Sequence, residues 1–328
     1  MTFRARITRP ARLCALLAAA CAGCSSDGDT WSSKSTPLPT TAPAANGQWT
    51  YNTPEAAVEA MIEAARHEDR ETLRAIFGPD LQMLQSGDDQ QDRIDLQQFT
   101  ASYDLKHSLA KNDSNTRTLI MGVQDWIFPA PLVRENKRWR FDTAAGVDEI
   151  IVRTVGMNEI HVIYSACPAF VRAEDEYFEM DPDGDGVKSY AARLRSTSGT
   201  RDGLYWPDAP GVPQSPLGDF VDQAVAAGTL EGGSVEAHKP YRGYHYRIIT
   251  SQGPGAPGGA MNYIDDTGKM TRGYALVAWP ADYGQSGVMT FIVSKDGIVY
   301  QSDLGEDTAT MVEKITTYDP AGWDLAAN

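Results

Sequence analysis

The sequence predicts an α+β protein: N-terminal helices with a small antiparallel sheet, then a long helix with a four-stranded antiparallel meander. Helical spacing of apolar residues gives way to strand-like alternation near Arg117 and again near Tyr244. Lys295-Asp296-Gly297, set between two apolar runs, is a hairpin signal. A chain of 328 residues with 42% hydrophobic and 22% charged side chains is long enough for two domains with buried cores.

Residues 1–24 read as an address rather than as structure. Arg4, Arg6, Arg9 and Arg12 precede an apolar run from Leu13 to Ala20, shorter than the ~20 residues a membrane-spanning helix needs. Cys21-Ala22-Gly23-Cys24-Ser25-Ser26 follows. This stretch resembles a bacterial lipobox, whose cysteine carries palmitate-type acyl chains and becomes the mature N-terminus. Cys24 fits that role best, and Cys21 is the alternative. Ser25 stands where an aspartate would retain such a lipoprotein at the inner membrane, so the expectation is the outer membrane, facing the periplasm. Each buried methylene contributes ~0.8 kcal/mol, which makes a multiply acylated cysteine a permanent anchor.

Cleavage before Cys24 removes four of 29 basic residues and none of 44 acidic ones, taking the formal charge from -15 to -19. Such a surface repels phosphates, which argues against nucleic acid and against electrostatic membrane docking. It leaves the lipid anchor as the contact with the membrane. Of four cysteines, Cys167 alone then remains in the body and reads as a buried structural thiol.

Residues 25–52, rich in Ser, Thr, Pro, Ala and Gly, read as a solvated linker. Order is expected from Thr53, a helix N-cap followed by Pro54 and Glu55. Two domains follow, 53–153 and 154–328. In the first, helices carry Val58, Met61 and Ile62, then Leu73, Ile76 and Phe77, then Leu96, Phe99 and Tyr103. Short strands follow at 117–123, 125–128, 131–134 and 138–141, with Asn136-Lys137 as a turn.

The second domain opens with a helix over 158–178, bent by Pro168. An acidic loop, a short helix through Tyr190 and Leu194, and a helix entered at Ser215-Pro216 come next. Strands are expected at 244–250, 273–279, 288–293 and 298–301, closed by a helix over 308–315.

The first arrangement resembles the cone-shaped fold of the NTF2-like superfamily over residues 53–142, and the second resembles the globular part of pseudopilins. A more specific resemblance spans residues 50–325. Thr53-Pro54-Glu55-Ala56-Ala57-Val58, Trp139-Arg140-Phe141-Asp142, Asp181-Pro182-Asp183-Gly184-Asp185-Gly186, Arg201-Asp202-Gly203-Leu204-Tyr205-Trp206-Pro207 and Ser286-Gly287-Val288-Met289-Thr290-Phe291 are similar to stretches of the bacterial lipoproteins grouped as domain of unknown function 2950. The resemblance implies an envelope lipoprotein and brings no catalytic residues.

Two local features are candidates for chemistry. Asp181, Asp183 and Asp185, with the Val187 carbonyl and Ser189, have the alternate spacing of a calcium loop, and Gly186 allows its sharp turn. Ala192 stands where a bidentate Glu is expected, so the ion would be weakly held and structural. The competing reading is an Asp/Gly turn whose carboxylates cap backbone amides. The second feature is Arg201, Asp202, Tyr205 and Trp206, which either line a ligand or partner site or pin a loop to the core. The glycines of Gly253-Pro254-Gly255-Ala256-Pro257-Gly258 lack the following helix that a nucleotide loop requires and read as a rigid turn.

The leading functional reading is a non-enzymatic, periplasm-facing binding or assembly-support module with envelope proteins as partners. The alternatives are an enzyme acting on envelope polymers or small metabolites, and a small-ligand site in the N-terminal domain.

Overall fold

The computed structural model describes residues 42–43, 47–79, 81, 89–182, 184–221 and 240–326. The leader, Cys21, Cys24 and Asp183 lie outside them. Helices and antiparallel sheets make an α+β protein, and its chain divides into two compact units between Arg153 and Thr154. No helix among the described residues is long and apolar enough to cross a membrane.

The first unit packs helices α1 (Pro54–Arg66), α2 (Arg70–Phe77) and α3 (Asp89–Leu105) with a five-stranded sheet. Thr53 caps α1 as expected, its hydroxyl accepting from the Ala56 amide at 3.2 Å. Along α1 the sequence then buries Ala57, Val58, Ala60, Met61, Ile62, Ala64 and Ala65. Strands β3 (His107–Lys111), β4 (Thr116–Met121), β6 (Leu132–Glu135) and β7 (Arg138–Phe141) lie in that order, with β5 (Trp126–Ile127) paired to β4. Phe77, Phe99, Phe128 and Phe141 fill the interior, with ring centroids 5.0–6.2 Å apart. The helix that carries Leu96, Phe99 and Tyr103 ends at Leu105, and His107 opens strand β3.

The linker boundary needs correction. Order reaches back past Thr53 through β1 (Ala42–Pro43) and β2 (Trp49–Thr50), and Tyr51 pairs with Trp139 at 2.7 and 2.8 Å. Gln48 is 1% exposed, and its Nε2 donates to the Ile76 and Phe141 carbonyls at 2.8 Å each. This side chain thus supplies a donor to the C-terminal end of α2 and, beside Arg140 Nη1 at 3.1 Å, to the carbonyl at the end of β7.

In the second half the helical run begins earlier than expected. Helix α4 (Thr143–His161), inside which the unit division falls, leads into a π-helical turn (Val162–Ala166) and then α5 (Cys167–Met180). The turn, marked by the Cys167 amide donating to the Val162 carbonyl, sits directly ahead of Pro168. Pro168 has no amide to donate and its ring crowds the preceding turn, so the register changes there. No helix forms through Tyr190 and Leu194; Tyr190 bridges Met270 and Arg195 bridges Tyr205 in extended backbone. A helical turn occupies residues 218–221.

Strands β8 (Tyr244–Ile249), β11 (Ala275–Pro280), β12 (Met289–Ser294) and β13 (Val299–Asp303) form the expected meander, extended by β14 (Asp324–Leu325). The small pair β9 (Ser251–Gln252) and β10 (Met261–Asn262) intervenes. Gly297, at φ 72°, makes the predicted hairpin turn. Alternation sends Tyr244, Tyr246, Tyr274 and Leu276 to one face of the sheet, where Phe170 of α5 meets Tyr274 with centroids 5.5 Å apart. Arg247 and Trp279 point to the other face, which helix α6 (Thr308–Glu313) covers.

Replacing Gln48 by Ala removes the side-chain donor of the Ile76 carbonyl and leaves the Phe141 carbonyl with Arg140 Nη1 at 3.1 Å, and the loss expected is about 2 kcal/mol. Urea denaturation of full-length wild type and Gln48→Ala measures it; an unchanged midpoint would place Gln48 outside the folded body.

Candidate functional site

The acidic loop uses its carboxylates on its own backbone. Asp181 ends α5 in the left-handed region at φ 45°, and its Oδ2 accepts from the Gly186 amide at 3.0 Å. Asp185 Oδ1 accepts from the Val187 amide at 2.9 Å, while its Oδ2 pairs with Lys269 Nζ at 2.5 Å. Val187 is exposed and Ser189 half-buried. The helix–loop–helix setting expected for a calcium loop is absent, because the backbone after the loop runs extended into the Tyr190–Met270 bridge. Among the described residues no three His, Cys, Asp or Glu side chains converge on one point. Lys269 Nζ lies against two of the five expected ligands, the Asp185 carboxylate and, at 3.4 Å, the Val187 carbonyl.

The Arg201–Pro207 loop is pinned. Leu204, Tyr205 and Trp206 are buried, Trp206 Nε1 donates to the Pro213 carbonyl at 2.8 Å, and Tyr177 Oη donates to the Arg201 carbonyl at 2.8 Å. Burial works against ionisation of Asp202, yet hydrogen bonds from Thr200 and Thr197, with Arg193 at 3.3 Å, hold its carboxyl below the usual range. A Cβ on Gly203 would lie 2.6 Å from the Arg195 backbone, so glycine is what lets the two segments approach. The loop thereby sets the position of Arg193 and Arg195.

Those arginines line a cavity of about 850 Å³ along β8. Phe170, Tyr246, Ile248 and Leu276 wall it on the α5 side of the sheet, and His245, Arg247, Trp279, Val312 and Glu313 on the α6 side. Phe220 and Tyr241 stand at its rim with centroids 5.3 Å apart. Arg247 lies over the Trp279 ring at 5.9 Å and donates through Nη2 to the Val312 and Ile315 carbonyls at 2.7 and 2.9 Å. The Tyr246 hydroxyl is buried with no hydrogen-bond partner among the described residues, and burial pushes it well above the usual phenol range. With Arg193 paired to Asp202, Arg195 and Arg247 face one glutamate here, in a chain whose overall charge is -15.

Other titratable and nucleophilic groups are held inert. Burial, reinforced by Arg242, lowers His161 to about 4, so it is neutral at pH 7. Burial pushes the Cys167 thiol up to about 12. Ser286 Oγ donates to the Asp282 carbonyl at 3.1 Å and accepts from the Asp282 amide at 3.0 Å, closing a turn. In the glycine-rich loop the Asp319 carboxylate takes the place an anion would need: its Oδ2 accepts from the Gly255 amide at 3.2 Å. Glu174 is fully buried; its Oε2 accepts from the Ala191 amide at 2.9 Å, and Oε1 has no partner among the described residues. Desolvation raises its carboxyl well above the usual range.

Sequence reasoning missed the cleft. Its one local trace is the aromatic density of Tyr241-Arg242-Gly243-Tyr244-His245-Tyr246, which supplies Tyr241, His245 and Tyr246 to the lining.

The model of one protein family, described as "Protein of unknown function (DUF2950)", matches residues 48–325. The chain belongs to the DUF2950 family. No curated protein and no solved structure matches it, so the NTF2-like and pseudopilin-like resemblances rest on the arrangement of elements alone. The start of the DUF2950 match at residue 48 coincides with the buried Gln48.

Two outcomes follow from these groups in the DUF2950 protein. A buried acid with a raised pKa keeps its proton in the folded state where the unfolded chain releases it, so stability falls as pH rises above the unfolded value. Thermal melts of Glu174→Gln, which keeps an acceptor for Ala191, are expected to gain on wild type as pH rises above the usual carboxylate range; parallel curves would contradict this. Calcium affinity, read by calorimetry, is expected to rise in Lys269→Ala, which removes the competing ammonium, and the gain is expected to vanish on adding Asp185→Asn.

Proposed function

We propose that this DUF2950 protein is a non-enzymatic binding module of the bacterial cell envelope. It is acylated at Cys24, with Cys21 as the alternative, and faces the periplasm from the outer membrane. The observation that carries the binding reading is the cleft along β8, where aromatic faces, arginines and a sheet edge share one cavity. A volume of about 850 Å³ is in the range of ligand sites. The lipobox-like segment supports the address.

The inward packing of Tyr205 and Trp206 makes the cleft, and not the Arg201–Pro207 loop, the contact surface of this reading. The phenylalanine cluster that fills the first unit favours the β8 cleft over an N-terminal ligand site.

Mass spectrometry of the native protein is expected to show an acylated cysteine at the N-terminus; an intact Met1 would overturn the address. For the cleft, Tyr241→p-benzoylphenylalanine in the full chain, illuminated in its own envelope, is expected to give a defined adduct. The same group at the exposed Val123 serves as control, and equal yields at the two positions would overturn the binding reading.

A further inference from the structure

The outer edge of β8 is paired at both ends and open between them. Tyr244 exchanges both backbone hydrogen bonds with Tyr241, at 2.8 and 3.0 Å. Arg242 and Gly243, at φ 45° and 75°, make the tight turn that joins them. At the far end the Thr250 carbonyl accepts from the Tyr263 amide at 2.9 Å. In an antiparallel ladder every second residue turns its N–H and C=O the same way. Tyr246 and Ile248 therefore face outward with Tyr244 and Thr250, while His245, Arg247 and Ile249 face β11. Among the described residues no partner meets the outward groups of Tyr246 and Ile248, and both residues line the cleft.

We infer that this gap binds a short acidic peptide, added as a strand against Tyr246 and Ile248 with a carboxylate at Arg195. The inference rests on the binding reading above and names its ligand. Backbone pairing is the recognition that an open edge offers. Length is limited by the two closed ends: Tyr244 to Thr250 spans roughly 20 Å at strand rise, which holds about three or four residues between them. Alternate side chains of an added strand fall to opposite sides of the sheet, toward Phe170 on one and Trp279 on the other. Charge selects an acid: Arg193 is paired with Asp202, and Arg195 and Arg247 still outnumber Glu313 in the cleft. Arg195 has no ion-pair partner among the described residues, and Arg247 Nε is buried without an acceptor. The buried, unpartnered Tyr246 hydroxyl belongs to the same cavity.

Calorimetric titration of the full chain in detergent tests this with three probes: Ac-Glu-Val-Glu-Val-NH2, the same peptide N-methylated at every amide, and Ac-Lys-Val-Lys-Val-NH2. The acidic peptide is expected to bind, and N-methylation or exchange to lysine to weaken it by at least ~10-fold. Arg195→Ala is expected to reduce affinity for the acidic peptide but not for the lysine peptide. Ile248→Pro removes an outward N–H that the β8–β11 ladder does not use, and is expected to act like N-methylation; if that variant fails to fold, the N-methylated peptide and Arg195→Ala decide. Equal binding of the N-methylated peptide would overturn backbone pairing. No binding of the acidic peptide to a chain that still gives the Tyr241 adduct would overturn this inference alone, whereas loss of the adduct as well would overturn the binding reading beneath it.

Discussion

Coverage of both faces of the second unit's sheet is the constraint from which the rest follows. Helix α5 closes one face where Phe170 meets Tyr274, and α6 closes the other where Arg247 reaches the Val312 carbonyl. A sheet so covered has apolar strands nearly throughout, and Ala275, Leu276, Val277, Ala278, Phe291, Ile292 and Val293 are all buried. Its remaining contact with other molecules is through its edges. At one edge the two-residue β14 shields β13, a short and acidic cover of the kind that discourages pairing with further strands. At the other edge, β8 carries the cleft.

The acidic excess has a local explanation. Asp181, Asp185, Asp202, Asp265, Asp296 and Asp319 each accept one or more backbone amides in a turn. Thr267, with the Thr267 and Lys269 amides, holds the Asp265 carboxyl down to about 2. Glu159 accepts from the amides of Val288 and Met289 at 2.9 and 3.0 Å, fixing the start of β12. These carboxylates organise loops, and the cleft carries the opposite local balance, so the net charge of the chain says little about what the cleft attracts.

Much of the fold was legible because local signals and tertiary packing agree there. Thr53-Pro54-Glu55 starts α1, Gly78 stops α2, and Lys295-Asp296-Gly297 turns β12 into β13, each by backbone geometry that the residues prefer on their own. The failures share a cause of the opposite kind. Tyr190 and Leu194 have helical spacing, but backbone pairing with Met270 and Tyr205 fixes that segment as extended. Gln48 sits in linker-like composition, and its burial depends on carbonyls 28 and 93 residues away. Of the candidate sites, the acidic loop and the Arg201–Pro207 loop were visible as motifs, yet the structure uses both for turns and packing. The cleft was not visible, since its walls come from between Ala166 and Glu313 and no single stretch carries its pattern.

The Gln48 contacts have a mechanical consequence. Beside the β1–β2 pair, the chain enters the first unit through a residue whose amide group bridges the ends of α2 and β7, with Tyr51 stitched to Trp139 just beyond. A pull on the N-terminal segment thus enters at the core instead of at a loose end. Such a load meets the β1–β2 pair together with the bonds of Gln48 and Tyr51, so the attachment point of the N-terminal segment is itself part of the folded body.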